Sequence, residues 1–165
     1  ALRSADEFGF EIVLQHATEG YRVKDELAKR KVPVSLTLLD SPGGKAEVVR
    51  LADENAAVLS AAGVPVCINT DDGVTESRFL LRTAAIAVRG GMTEAAALKA
   101  ITLTAARVLH LDHRVGSLEP GKDADFVVLS GPPFSVYTKV TQTWIDGKKA
   151  FDAADADQRA LDGFN

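Results

Sequence analysis

Val64-Pro65-Val66-Cys67-Ile68-Asn69-Thr70-Asp71, residues 64–71, is a run of β-branched and apolar side chains that ends in a polar turn. It is too short for a buried helix, and Gly63 and Gly73 bound it, so it reads as a buried strand. Two earlier runs share its form: Val32-Pro33-Val34-Ser35-Leu36-Thr37-Leu38 and Glu11-Ile12-Val13-Leu14-Gln15. Each run is followed by a helical pattern. Over residues 19–30, Val23 and Leu27 lie four apart among charges; over 46–62 the apolar face is Val48, Ala52, Leu59 and Ala62; over 77–89 it is Leu80, Ala84, Ala87 and Val88. Near-continuous apolar strands alternating with amphipathic helices imply an α/β chain, its parallel sheet covered by helices and its crossovers right-handed.

Beyond the third unit, Gly90-Gly91 ends the helix, and Thr93 with Glu94 has the form of an N-cap and acidic first turn for a short helix to about Ala100. A second short helix is expected with Thr104 as its cap and Ala105, Val108 and Leu109 as its buried face. Residues 116–125 are turn-rich and lead into the apolar strand Phe126-Val127-Val128-Leu129. Residues 140–145 and 148–151 flank Asp146-Gly147, a two-residue hairpin signal. The expected organisation is therefore a helix-covered sheet over residues 1–115, a small β module over 116–151 and an acidic, Ala-rich tail over 152–165.

Composition narrows the ligand class. With 46% hydrophobic and 25% charged residues the chain falls among ordinary globular proteins. A net charge of -4, a pI near 5.4 and Lys and Arg scattered among acids leave no basic footprint for nucleic acid. No apolar run is long enough to suggest a signal peptide or a membrane span. Cys67 is the single cysteine, so neither an intrachain disulfide nor a CxxC zinc site can form. A small molecule or a peptide is the expected ligand.

Two residues stand where an α/β barrel mounts its chemistry, at the C-terminal ends of strands. His16 ends the first strand and opens a polar loop; a neutral imidazole there can bind a divalent metal or polarise a carbonyl, or simply cap the strand. Asp71 ends the third strand, where a carboxylate beside a metal-activated water can be ligand and general base. The plain alternative is that Thr70-Asp71-Asp72-Gly73 is only a turn, and Asp72 fits that role. His110 and His113 have a ligand-like spacing, but they sit at a helix C-terminus, where an imidazole is stabilised by the helix dipole. Asp40-Ser41-Pro42-Gly43-Gly44-Lys45 follows the middle strand and is expected on the same face as His16 and Asp71. Phe134 and Trp144 are expected to fill the core of the β module.

Four segments carry a resemblance: residues 12–19 (Ile-Val-Leu-Gln-His-Ala-Thr-Glu), 62–71 (Ala-Gly-Val-Pro-Val-Cys-Ile-Asn-Thr-Asp), 91–102 and, most specifically, Gly116-Ser117-Leu118-Glu119-Pro120-Gly121-Lys122-Asp123-Ala124-Asp125 with the strand after it. In this order they resemble the amidohydrolase superfamily, and within it the imidazolonepropionase-like and Xaa-Pro-dipeptidase-like members. The resemblance implies the last three β/α units of a (β/α)₈ barrel of TIM type, with a small β module after them. It implies that His16 and Asp71 are the metal ligands of strands six and eight, that the metal is a divalent ion such as zinc, and that metal-activated water hydrolyses an amide-type C–N bond. The His-x-His of strand one, the bridging residue of strand four and the histidine of strand five have no counterpart here, since no histidine precedes His16. Also implied are a dipeptide, N-acyl amino acid or cyclic amide as substrate, and a second copy or companion chain supplying the missing strands. The competing reading is a non-catalytic barrel fragment packed as a structural or regulatory module on another chain.

Overall fold

A computed structural model of the chain describes residues 1–38, 48–155 and 157–158. After a first helix α1 (Leu2–Phe8), three strands, β1 (Leu14–Gln15), β2 (Val34–Thr37) and β3 (Val66–Asn69), form a parallel sheet in the order β1-β2-β3. The strands are shorter than the apolar runs that announce them. Pro33 and Pro65 precede β2 and β3 and act only through their carbonyls, which accept from Leu14 N at 3.0 Å and Val34 N at 2.9 Å, so the missing proline N–H costs no ladder bond.

The register pairs Leu14 with Val34, Val34 with Val66 and Leu36 with Ile68. These residues form one face, packed in a single core with Leu27, Leu59, Ala84, Ala87 and Ala97 from the helices. Val34 and Leu36 are fully buried, each such side chain contributing about 1.5–3 kcal/mol relative to exposure. The other face carries Gln15, Ser35, Thr37, Cys67 and Asn69, so the strands are two-faced rather than apolar throughout. Its polar groups bond to one another: Thr37 Oγ1 donates to Asn69 Oδ1 at 2.9 Å, and Asn69 Nδ2 donates to Ser35 Oγ at 2.6 Å. The Cys67 thiol is buried, donates to the Val34 carbonyl at 3.3 Å and has its pKa pushed up by that burial.

Helices α2 (Lys24–Arg30), α3 (Asn55–Ala61), α4 (Leu80–Arg89) and α5 (Glu94–Ala100) cover the apolar face, and α6 (Leu103–Val108) packs against α5 and β3. Four of them close alike, with a left-handed residue at Lys31, Gly63, Gly91 or His110. The next N–H then reaches back five residues, from Val32 to the Leu27 carbonyl, Val64 to Leu59, Met92 to Ala87 and Leu111 to Ala106. Thr93 caps α5 as expected, its Oγ1 accepting from Ala96 N at 3.2 Å.

Other expectations are corrected. Val23 lies in a 3-10 turn and is exposed, leaving Leu27 as the buried residue of that helix. The helix expected from residue 46 begins at Asn55, because residues 48–54 form successive turns with bonds from Leu51 N to Val48 O and Asn55 N to Ala52 O. Thr104 lies inside α6; Thr102 holds the cap position and donates its Oγ1 to the Leu98 carbonyl at 2.7 Å. Ala106, not Leu109, is the buried residue there.

The second sheet is antiparallel, with β4 (Phe126–Leu129), β5 (Val140–Ile145) and β6 (Lys148–Asp152) in that order. Asp146 and Gly147 have φ of 51° and 69°, the two positive values of a type I′ hairpin turn. Phe126 stacks on Trp144 with ring centroids 5.6 Å apart. Phe134 instead packs against the main core, correcting its expected place inside the β module. The turn-rich crossing is a clasp: Arg114 pairs with Asp123 at 2.6 Å, Lys122 donates to Ser117 Oγ at 2.6 Å and pairs with Glu119 at 2.8 Å, and Asp125 Oδ1 accepts from Asp146 N at 2.9 Å. The Lys122 ammonium holds the Glu119 carboxyl below the usual carboxylate range. Among the described residues no helix is long and apolar enough to cross a membrane.

Candidate active site

His16 directly follows β1. Its N–H donates to the Ser35 carbonyl at 2.8 Å, extending the parallel ladder by one residue, and Ala17 N then closes on the Gln15 carbonyl at 2.7 Å. The chain reverses through left-handed backbone at His16 (φ 62°) and Ala17 (φ 37°). Asp71 follows β3 by two residues, also left-handed at φ 48°, and its carbonyl accepts from Val74 N at 2.7 Å to close a turn. Non-glycine residues held this way cost about 1–3 kcal/mol each and persist only where surrounding contacts over-determine them.

β1 and β3 are not neighbours, since β2 lies between them. Two strand spacings separate their backbones by roughly 10 Å, yet the two side chains converge over the end of β2. His16 Nε2 lies 3.3 Å from Asp71 Oδ2, with the side chains 46% and 44% exposed. That distance is long for an N–H···O hydrogen bond. Two ligands of one tetrahedral zinc, each about 2.0–2.1 Å from the ion, stand about 3.3 Å apart, so the pair fits two ligands of one such ion. Among the described residues no three His, Cys, Asp or Glu side chains gather as a complete set.

Asp72 is turned elsewhere: its Oδ2 accepts from Ser77 Oγ, and this bond holds its carboxyl below the usual range. The two adjacent carboxylates thus have different partners. His110 Nε2 lies 3.1 Å from Glu11 Oε2, in the segment leading into β1 and so at the opposite end of the sheet from His16. An open groove of about 840 Å³ lies at that end, lined by residues including Phe10, Ile12, Pro33, Arg107 and His110. It is remote from His16 and Asp71. The loop of Asp40 to Lys45 lies outside the described residues.

Sequence reasoning passed over Asn55, which is buried and bonds to the loop that follows His16. Following Asp53 and Glu54 directly, it looks like one more residue of a solvated polar turn, which periodicity alone discards.

Residues 13–150 match the sequence profile of the Amidohydrolase family. An imidazolonepropionase of Geobacillus kaustophilus is 42% identical over 84 residues, which are 48% of this chain and 20% of that protein. The crystal structure of an amidohydrolase from Thermotoga maritima superposes with a TM-score of 0.87 at 40% identity, covering 92% of this chain and 39% of that one. An adenosine deaminase from Xanthomonas campestris, solved with bound zinc, superposes with a TM-score of 0.68 at 27% identity, covering 98% of this chain and 43% of that one. The chain thus spans a fifth of the length of that imidazolonepropionase and about two fifths of each structure. Strand-end placement, the parallel β/α units and the match over residues 13–150 agree: the chain belongs to the amidohydrolase family and has its TIM-barrel type of α/β fold.

Proposed function

We propose that this chain carries β/α units six to eight of a metal-dependent amidohydrolase barrel, over residues 1–115, with part of its small β module over 116–151. The whole protein would hydrolyse an amide-type C–N bond in a dipeptide, an N-acyl amino acid or a cyclic amide. The observation that carries this reading is the 3.3 Å approach of His16 Nε2 to Asp71 Oδ2 across the end of β2.

His16 and Asp71 would hold a divalent ion, with zinc the first candidate because imidazole and carboxylate suit it. Bound there, the ion would act as a Lewis acid that lowers the pKa of water toward neutral. His16 would offer Nε2, its ring placed by the turn at Ala17. Asp71 would accept the proton released by the attacking water and, once protonated, return it to the leaving nitrogen. Each outer strand of the sheet, β1 and β3, has a neighbour on one side only among the described residues. Their free edges would pair with the remaining barrel strands, from the rest of the protein, a second copy or a companion chain.

The test compares the 165-residue chain with the full-length protein, measuring bound zinc and turnover of a panel of dipeptides, N-acyl amino acids and cyclic amides. A catalytic zinc takes about three protein ligands, so the short chain should bind zinc weakly and turn nothing over, while the full-length protein does both. Tight stoichiometric zinc with turnover in the short chain would sink the fragment reading. A full-length protein with neither metal nor turnover would instead favour the non-catalytic packing module.

A further inference from the structure

Asn55 opens α3, is only 3% exposed and spends its amide on a segment distant in sequence. Its Nδ2 donates to the Ala17 carbonyl at 3.0 Å and the Thr18 carbonyl at 3.3 Å, and its Oδ1 accepts from Tyr21 N at 2.8 Å. Both donor hydrogens and one acceptor position are therefore used on residues 17–21, the loop that follows His16. A polar amide this deep is stable only because these bonds replace water, and losing them would strand buried groups on both partners.

The loop also lies directly against α3. A Cβ on Gly20 would stand 3.1 Å from Leu59 Cδ1 and 3.6 Å from Asn55 Oδ1. The left-handed backbone of His16 and Ala17 lies immediately before the clamped carbonyls, and such backbone needs outside contacts to persist. The Ser35 carbonyl fixes His16 from the strand side; Asn55 fixes the chain just beyond it.

The geometry assigns Asn55 as a positioning residue: by tying Ala17, Thr18 and Tyr21 to the first turn of α3, it holds the reversal that aims His16 Nε2 at Asp71. The functional consequence rests on the reading of His16 and Asp71 as metal ligands; the clamp itself does not. Asn55→Asp keeps the shape and the bond from Tyr21 N but sets a carboxylate oxygen against two carbonyls. Asn55→Leu removes all three bonds at similar volume.

In the full-length protein, zinc affinity, kcat, KM, thermal midpoint and hydrogen exchange of the amides of residues 16–21 would be measured for both variants. Thr83→Val is the control, since Thr83 is 1% exposed and its Oγ1 bond to the Phe79 carbonyl at 3.1 Å lies within α4 and its entry turn. Both Asn55 variants should lose roughly ten- to a hundredfold in zinc affinity, as outer-shell changes do. Their kcat should fall with KM nearly unchanged, and exchange at 16–21 should quicken while β2 amides stay protected. Thr83→Val should lower the thermal midpoint and leave zinc affinity and loop exchange alone. Asn55 variants with wild-type zinc affinity and loop exchange, or losses no larger than those of Thr83→Val at equal midpoint, would overturn the assignment. Should both fail to fold, Gly20→Ala pushes the same segment off α3 and should shift the same readouts in the same direction; no shift overturns it. A wild-type protein that binds no zinc would remove the proposed function, while loop exchange would still decide the clamp.

Discussion

Asp71 and Asp72 are the same side chain one residue apart, and their surroundings give them different work. The Asp71 carboxylate faces His16, whereas that of Asp72 is engaged by the Ser77 hydroxyl. If Asp71 is the proton acceptor and metal ligand proposed above, Asp71→Asn in the full-length protein should lower turnover about 10²–10⁴-fold with a loss of bound zinc. Asp72→Asn leaves an amide oxygen that can still accept from Ser77, so turnover and zinc should stay near wild type. Turnover and metal content measured on both variants settle the matter; the reverse pattern would shift the site by one residue and remove Asp71 from it. Strand alternation predicted opposite directions for neighbouring residues, but the left-handed backbone at Asp71 was not legible from residue type, because Asp enters that region only when a turn demands it.

The same contrast between local and distant causes appears at the helix ends. Gly90 has an ordinary φ of -75°, yet a Cβ there would stand 2.0 Å from the Asp53 carbonyl oxygen, because the turn leading into α3 passes directly over the end of α4. Gly91 has φ 101°, with no contact nearer than 3.7 Å. Gly90→Ala should therefore cost about 3 kcal/mol by forcing two backbones apart, and Gly91→Ala about 1 kcal/mol by backbone strain alone. Urea unfolding of both variants checks the order, and a larger loss at Gly91 would show that backbone conformation outweighs the clash. Elements with a strong local cause were readable in advance: the Thr93 cap, the Asp146-Gly147 hairpin and the strand at Phe126–Leu129. The start of α3 was not, because the turns over residues 48–54 are held partly by a tertiary pair, Arg89 with Asp53 at 2.7 Å. Apolar spacing alone carried the expected helix through them.

At the scale of the molecule, two sheets of opposite kind are joined by the clasp at residues 114–125 and by Phe134 resting on the main core. The alternation of strand and helix made the parallel sheet legible, and family resemblance added the crossing. Neither showed that Phe134 leaves its own sheet, since an aromatic side chain can serve any core within its reach. The polar face of the parallel sheet was equally hidden, because Ser35, Thr37 and Asn69 look like interruptions until the register sets them side by side. Cys67 lies on that face between them, 5% exposed and alone of its kind in these 165 residues. Its thiol is thus a native gauge of sheet opening, readable with a disulfide reagent and without engineering. Reagent can reach it only when β3 parts from its surroundings, so the folded chain should be labelled at least ~10³-fold more slowly than the chain in urea. The ratio of the two rates, followed by absorbance of the released thiol, reports the free energy of that opening directly. Labelling as fast in buffer as in urea would mean that the strand carrying Asp71 is open to solvent in the isolated chain.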